Sequence, residues 1–288
     1  MPRYNRGARL DPTQVQDVRG RRFGGGAPIA VGGGSIGLII FIAMLLLGGD
    51  PFSSTSNSLD GGQTQSDLAT ECQTGADAEE RQDCRLLLFV NSIQEYWTSE
   101  FQQSGGRYQP AVTQFFSQAT QTGCGNATSA VGPFYCPPDR KVYIDLTFFE
   151  ELQRRFGAQG GDFAEAYVVA HEYGHHIQNL TGTLNGGQGG SGAESASVRT
   201  ELQADCYAGV WAKNAVATGY IEELSSQDIA IGLDAAAAVG DDRIQQSSGG
   251  RVNPEKFTHG TSAQRQKWFT NGYQTGSPDS CDTFNNPI

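Results

Sequence analysis

His171-Glu172-Tyr173-Gly174-His175 sets two imidazoles four residues apart, with a carboxylate beside the first. On an α-helix, positions i and i+4 share a face, so both rings can reach one point. Zn²⁺ accepts neutral imidazole nitrogen at about 2.0–2.1 Å, and two such ligands one turn apart suit a tetrahedral site. Glu172 then stands where a general base would take a proton from a water activated by the metal. The chain has four histidines, and three of them are His171, His175 and His176. The ligands are concentrated rather than scattered.

A catalytic zinc takes a third protein ligand and keeps one position open. Thr200-Glu201-Leu202-Gln203-Ala204-Asp205 can supply it. Glu201 and Asp205 are again four apart, on one face of a helical run over 201–217. Glu201 is expected to complete the ligand set from a helix packed against the first. Asp205 is expected to accept the free N–H of a ligand imidazole, which fixes its tautomer and raises its basicity. His176 points about 100° away round the helix and is expected to be structural or to support a metal ligand from behind. Gly174 is expected to let another backbone approach closely.

Taken together, these motifs resemble the bacterial family of putative neutral zinc metallopeptidases. The pieces that carry the resemblance are Val15-Gln-Asp-Val-Arg-Gly20, Tyr135-Cys-Pro-Pro-Asp139 with Val142-Tyr-Ile-Asp-Leu146, His171 to His176, Glu201 to Asp205, and His259-Gly-Thr-Ser-Ala-Gln-Arg265. HExxH followed by ExxAD is also similar to the gluzincin pattern of two His and one Glu. The resemblance implies a zincin-like domain, Zn²⁺ as cofactor, and hydrolysis of peptide or protein substrates. It implies that a later histidine, here His259, stabilises the oxyanion of the reaction; the plainer alternative is a local bond or helix cap near Gly260. It also implies a small sheet beside the motif helix, whose edge can pair with an extended peptide. Val142–Leu146 is the strand expected there, either as that edge or as an interior strand.

The positioning elements are legible in part. Asp162-Phe-Ala-Glu165 has the form of a capping box and predicts the start of the motif helix. A glycine-rich connector over Thr181–Ala193 joins the two metal helices. Helices are expected near Ala78–Thr98, Tyr108–Thr120, Ser226–Gln246 and Thr261–Tyr273. In the last, Trp268 and Phe269 face the core, and Arg265 forms a surface salt bridge or else orients substrate or an Asp or Glu side chain. The expected fold is mainly α with a small β element (α+β).

The chain of 288 residues has a net charge of −11. Residues 1–27 carry six arginines against Asp11 and Asp17, which leaves about −15 on the remainder. Such acidity argues against nucleic acid as a partner, and no partner protein is predictable. Residues 28–49 are uncharged and mostly apolar, long enough to cross a bilayer core. With positive charge on one flank only, they read as a transmembrane anchor that leaves the N-terminus cytoplasmic and the bulk extracytoplasmic. A cleaved signal peptide fits less well, because no A-x-A site precedes Asp50. The expected order is a basic cytoplasmic segment at 1–27, an anchor at 28–49, a Ser/Gly/Gln-rich tether at 50–67, and a metallopeptidase-like ectodomain at 68–288.

Six cysteines follow the anchor, an even number that suggests three disulfides. Fifteen pairings are open to them. Cys72–Cys84, Cys124–Cys136 and Cys206–Cys281 is the preferred set, because two pairs are local and the third would clamp the C-terminal tail. The function expected from all this is a membrane-anchored zinc peptidase. The alternative is a membrane-tethered binding or regulatory protein with a non-catalytic metal site.

Overall fold

The computed structural model of the chain describes residues 1–20, 68–186, 190–247, 249 and 251–288. Among them the strands are β1 (Arg3–Tyr4), β2 (Val15–Asp17), β3 (Val112–Phe116), β4 (Ala119–Thr122), β5 (Gly125–Thr128), β6 (Phe134–Cys136), β7 (Lys141–Asp145) and β8 (Ile221–Glu223). The helices are α1 (Leu68–Glu71), α2 (Gly75–Glu80), α3 (Gln82–Gln103), α4 (Phe148–Arg154), α5 (Asp162–Thr181), α6 (Thr183–Gly186), α7 (Ala196–Asn214), α8 (Ser226–Ala238), α9 (Asp241–Ser247) and α10 (Ser262–Thr275).

The central sheet has the order β2-β3-β7-β6. The β2–β3 and β3–β7 pairs are parallel, and β6 runs antiparallel to β7. β4 and β5 form a hairpin, and β1 pairs with β8. This is a mixed α/β architecture, which corrects the expectation of a mainly α chain with a small β element. The error came from Tyr108–Thr120, read as a helix but folded as β3 and the start of β4. Thr113, Gln114, Phe115 and Phe116 of β3 are all buried, so the strand shows no in-out alternation. Periodicity alone does not tell such a run from a buried helix. β7 matches the expected strand but lies inside the sheet, and the edge beside the metal helix is β6.

The N-terminal residues belong to this same body. Tyr4, Leu10 and Val15 are buried in the main core, and Val18 packs with Phe116, Phe134 and Tyr143. β2 is the outer strand beside β3. Arg19 is ion-paired to Asp17 and Asp83, Arg3 to Glu222 and Glu223, and Arg6 to Glu79. This overturns the expected localisation, since a single crossing between residues 20 and 68 would put β2 and the other three strands of its sheet on opposite sides of a membrane. Among the described residues, no helix is long and apolar enough to cross a membrane. The expected anchor at 28–49 and tether at 50–67 lie outside the described residues. The arginines look like a topology signal in the sequence, whereas these three pair with carboxylates of the domain. Four apolar residues spread over fifteen positions leave no periodic pattern to reveal the packing.

The remaining departures are local. The run Ser226–Gln246 breaks at Gly240 into α8 and α9. α5 begins after Gly161, and its first-turn acids Asp162 and Glu165 turn to Arg85 instead of forming a capping box. All three preferred disulfides are present: Cys72–Cys84, Cys124–Cys136 and Cys206–Cys281. α7 packs against α10 with little side chain between them: a Cβ on Gly272 would come within 2.0 Å of the Cys206 carbonyl oxygen.

Candidate metal centre

α5 is buried from Phe163 to Gln178 and ends at Gly182, a left-handed cap (φ 81°) that glycine adopts without a Cβ penalty. It carries His171, Glu172 and His175. α7 crosses it at Gly174, where a Cβ would lie 2.9 Å from both Cα and O of Ala204. The missing side chain thus lets α7 approach closely enough for Glu201 to face both imidazoles.

Glu201 Oε2 lies 3.2 Å from His171 Nε2, and Oε1 lies 3.5 Å from His175 Nε2. The donor atoms of His171, His175 and Glu201 all fall within 4.8 Å of one another. Each imidazole is held by its other nitrogen. His171 Nδ1 sits 2.9 Å from Asp205 Oδ1, and His175 Nδ1 sits 2.8 Å from Gln178 Oε1. His175 Nε2 is buried and has no hydrogen-bond partner. Two nitrogens and a carboxylate converging on one point, with both Nδ1 atoms engaged elsewhere, fit a zinc-type cation. No fourth His, Cys, Asp or Glu joins the group among the described residues.

The local field also favours a cation. Burial opposes a charged His171, but Asp205 and Glu201 outweigh it and raise the ring to about 9. Burial likewise opposes ionised Glu201, yet the two histidines hold it well below the usual carboxylate range. Asp205 is held low, against burial, by Arg265 and His171. Two ionised carboxylates thus face one guanidinium, and a bound cation can take the place of the His171 proton.

Glu172 is 3 % exposed, and its Oε2 has no partner. Burial pushes its carboxyl up, and Glu201 adds to the rise; the two histidines and the Tyr135 backbone amide oppose it. That amide belongs to edge strand β6. A cleft beside Glu172 and His171 is lined by Pro133, Phe148, Val168 and Val239.

His259 is not part of the three-residue cluster. Its ring Nδ1 lies 3.2 Å from Asp241 Oδ1 and 2.9 Å from Thr258 Oγ1. Asp241 Oδ2 accepts the N–H groups of Thr258, His259 and Gly260, which pins the loop. His259 is nonetheless near enough to help lower Glu201. His176 is structural: Nε2 donates to the Gln109 carbonyl, and Nδ1 accepts from the Tyr135 hydroxyl. Arg265 is no surface residue; it is 1 % exposed and grips Asp205.

Four residues around the centre escaped the sequence reading. The Tyr167 hydroxyl donates to Asp205 Oδ1 at 2.5 Å, and Asp241 anchors the His259 loop. Gln178 and Gln203 lie behind His175. Tyr167 is one turn before His171 and Gln178 one turn after His175, so helical spacing could have flagged both. Gln203 and Asp241 depend on tertiary contacts that spacing does not show.

The chain is similar to proteins of several bacteria. The uncharacterized protein Rv2575 of Mycobacterium tuberculosis is 54 % identical over 223 residues, 75 % of each chain. The uncharacterized protein YpfJ of Escherichia coli K12 is 38 % identical over 289 residues, covering 97 % of this chain and 98 % of that one. No solved structure matches. A family profile described as "Putative neutral zinc metallopeptidase" matches residues 5–284. Spanning nearly the whole chain, that match includes both metal helices and the N-terminal strands, and the chain belongs to the putative neutral zinc metallopeptidase family.

Proposed function

We propose that this protein is a zinc peptidase in which His171, His175 and Glu201 hold the metal and Glu172 is the general base. The observation that carries the reading is the buried, unpartnered Oε2 of Glu172 beside a cluster of three ligand residues that no fourth joins among the described residues. A structural zinc site is closed by four protein ligands, whereas a catalytic one keeps a position open. Zinc, when bound, polarises a carbonyl and lowers the pKa of a coordinated water toward about 7.

The chain's own residues do the rest. Glu172 takes the proton of the attacking water and passes it to the leaving amine. Its raised affinity for a proton, caused mainly by burial, suits a group that must hold one between those two events. Asp205 keeps the Nδ1 proton of His171 in place, so that Nε2 keeps its lone pair. His259, on a loop pinned by Asp241, donates a hydrogen bond to the developing oxyanion. β6, the sheet edge that carries Tyr135, pairs with the extended backbone of the substrate.

The test is digestion of a mixed peptide library by the zinc-loaded full chain. Cleavage that stops on chelation and returns with zinc is expected. A chain that binds zinc yet leaves every peptide intact would overturn the reading.

A further inference from the structure

Behind His175 runs a chain of amide hydrogen bonds that ends on the C-terminal tail. His175 Nδ1 lies 2.8 Å from Gln178 Oε1. Gln178 Nε2 donates to the Thr200 carbonyl at 2.7 Å and to Gln203 Oε1 at 3.0 Å. Gln203 Nε2 donates to the Cys281 carbonyl at 2.9 Å. Gln178 is 0 % and Gln203 5 % exposed, so water does not substitute freely for these partners.

The direction of this chain is not arbitrary. A side-chain amide has one accepting and one donating end, and the two can be exchanged by a flip. Backbone carbonyls, however, only accept. The Cys281 carbonyl therefore requires the nitrogen of Gln203, which leaves Gln203 Oε1 facing Gln178. Gln203 Oε1 and the Thr200 carbonyl together require the nitrogen of Gln178, which leaves Gln178 Oε1 facing His175. A flipped Gln178 would set its oxygen against two acceptors. An oxygen facing Nδ1 requires that this nitrogen carry the proton, and Nε2 is then the atom with the free lone pair.

We infer that Gln178 and Gln203 are positioning residues, forming a one-way amide relay by which the C-terminal tail fixes the protonated nitrogen of His175. The Cys206–Cys281 disulfide holds the relay's last acceptor against α7, the helix that carries Glu201. One imidazole, His171, is oriented by a charged carboxylate, and the other by neutral amides whose polarity two backbone carbonyls dictate. The inference rests on the reading of His175 as a metal ligand.

The experiment compares full-length wild type, Gln178→Leu, Gln178→Glu and Gln203→Leu. Zinc affinity is measured by chelator competition, and the Nδ1–H resonance of His175 is observed by NMR in the zinc-loaded chains. Gln178→Leu should lose the protected Nδ1–H signal and bind zinc about 10- to 100-fold more weakly, the usual cost of removing a partner of a ligand imidazole. Gln178→Glu keeps an oxygen facing Nδ1, so it should keep the signal and bind zinc at least as tightly as wild type, even where its melting temperature falls as far as that of Gln178→Leu. Gln203→Leu leaves Gln178 one carbonyl to donate to and should weaken zinc severalfold. Wild type that binds no zinc would overturn the metal reading itself. Wild type that binds zinc while Gln178→Leu matches it in affinity and in the Nδ1–H signal would overturn the relay alone.

Discussion

Arg265 Nε lies 2.7 Å from Asp205 Oδ2 and its Nη2 lies 2.9 Å from Oδ1, so a buried guanidinium forks onto the carboxylate that holds His171. Four hydrogen bonds converge on Asp205: two from Arg265, one from Tyr167 and one from His171. Removing one partner of a buried ion pair leaves the other charged and desolvated, at a cost of about 3–5 kcal/mol. Arg265→Met should lose stability of that order in denaturant unfolding, with weaker zinc binding. A loss below about 1 kcal/mol, the range of a surface pair, would show that Asp205 is adequately held without it.

Gly174→Ala should separate the metal helices. The added methyl would meet the Ala204 backbone at 2.9 Å. Overpacking of this kind costs about 1–3 kcal/mol, and the better helix propensity of Ala returns up to about 1 kcal/mol. Zinc affinity should fall further than stability does, because Glu201 recedes from both histidines. Titration with a competing chelator would reveal this, and an unchanged affinity would count against Gly174 as the spacer.

The site motifs were legible because a helix converts sequence spacing into a shared face. His171 and His175 on one turn, and Glu201 and Asp205 on another, needed only that rule. Whether Val142–Leu146 is the edge or an interior strand stays open in the sequence because pairing partners are not local; the sheet order makes β7 interior and β6 an edge. For Arg265 the sequence favours a surface salt bridge over orienting a carboxylate because charge is usually solvated, and nothing in sequence shows that Asp205 waits across a helix interface. The N-terminal strands were missed for a related reason: their apolar residues are sparse, and only pairing with β3 and β8 gives them a role.

Residues 2–19 should be indispensable to folding. Tyr4, Leu10, Val15 and Val18 are each less than a tenth exposed, and burying such side chains contributes about 1.5–3 kcal/mol apiece. Their deletion should therefore remove more than about 5 kcal/mol, comparable with the whole stability of a typical domain. Thermal melting of the deletion variant, with residues 20–288 intact, provides the check. A melting temperature near that of the full chain would contradict the role of β1 and β2.

Acid should destabilise the protein through His176. Burial lowers its imidazole to about 4, whereas an exposed histidine titrates near 6.5. The folded chain thus binds fewer protons at this group than the unfolded chain between those values. The contribution is complete above pH about 6.5 and is lost as pH falls toward about 4, some 3 kcal/mol in all at 1.36 kcal/mol per unit. Denaturant unfolding across this window should show the slope in wild type and a reduced slope in His176→Asn. Equal slopes would assign the acid sensitivity to other groups.

The most direct measurement is zinc content and peptide turnover of Glu172→Gln beside wild type, both full-length. The substitution keeps the size of a side chain that is not among the clustered ligands but removes its capacity to accept the proton of water. One zinc per chain in both proteins, with turnover reduced by about 10²- to 10⁴-fold in the variant, is the expected result. Wild-type turnover in zinc-loaded Glu172→Gln would contradict it.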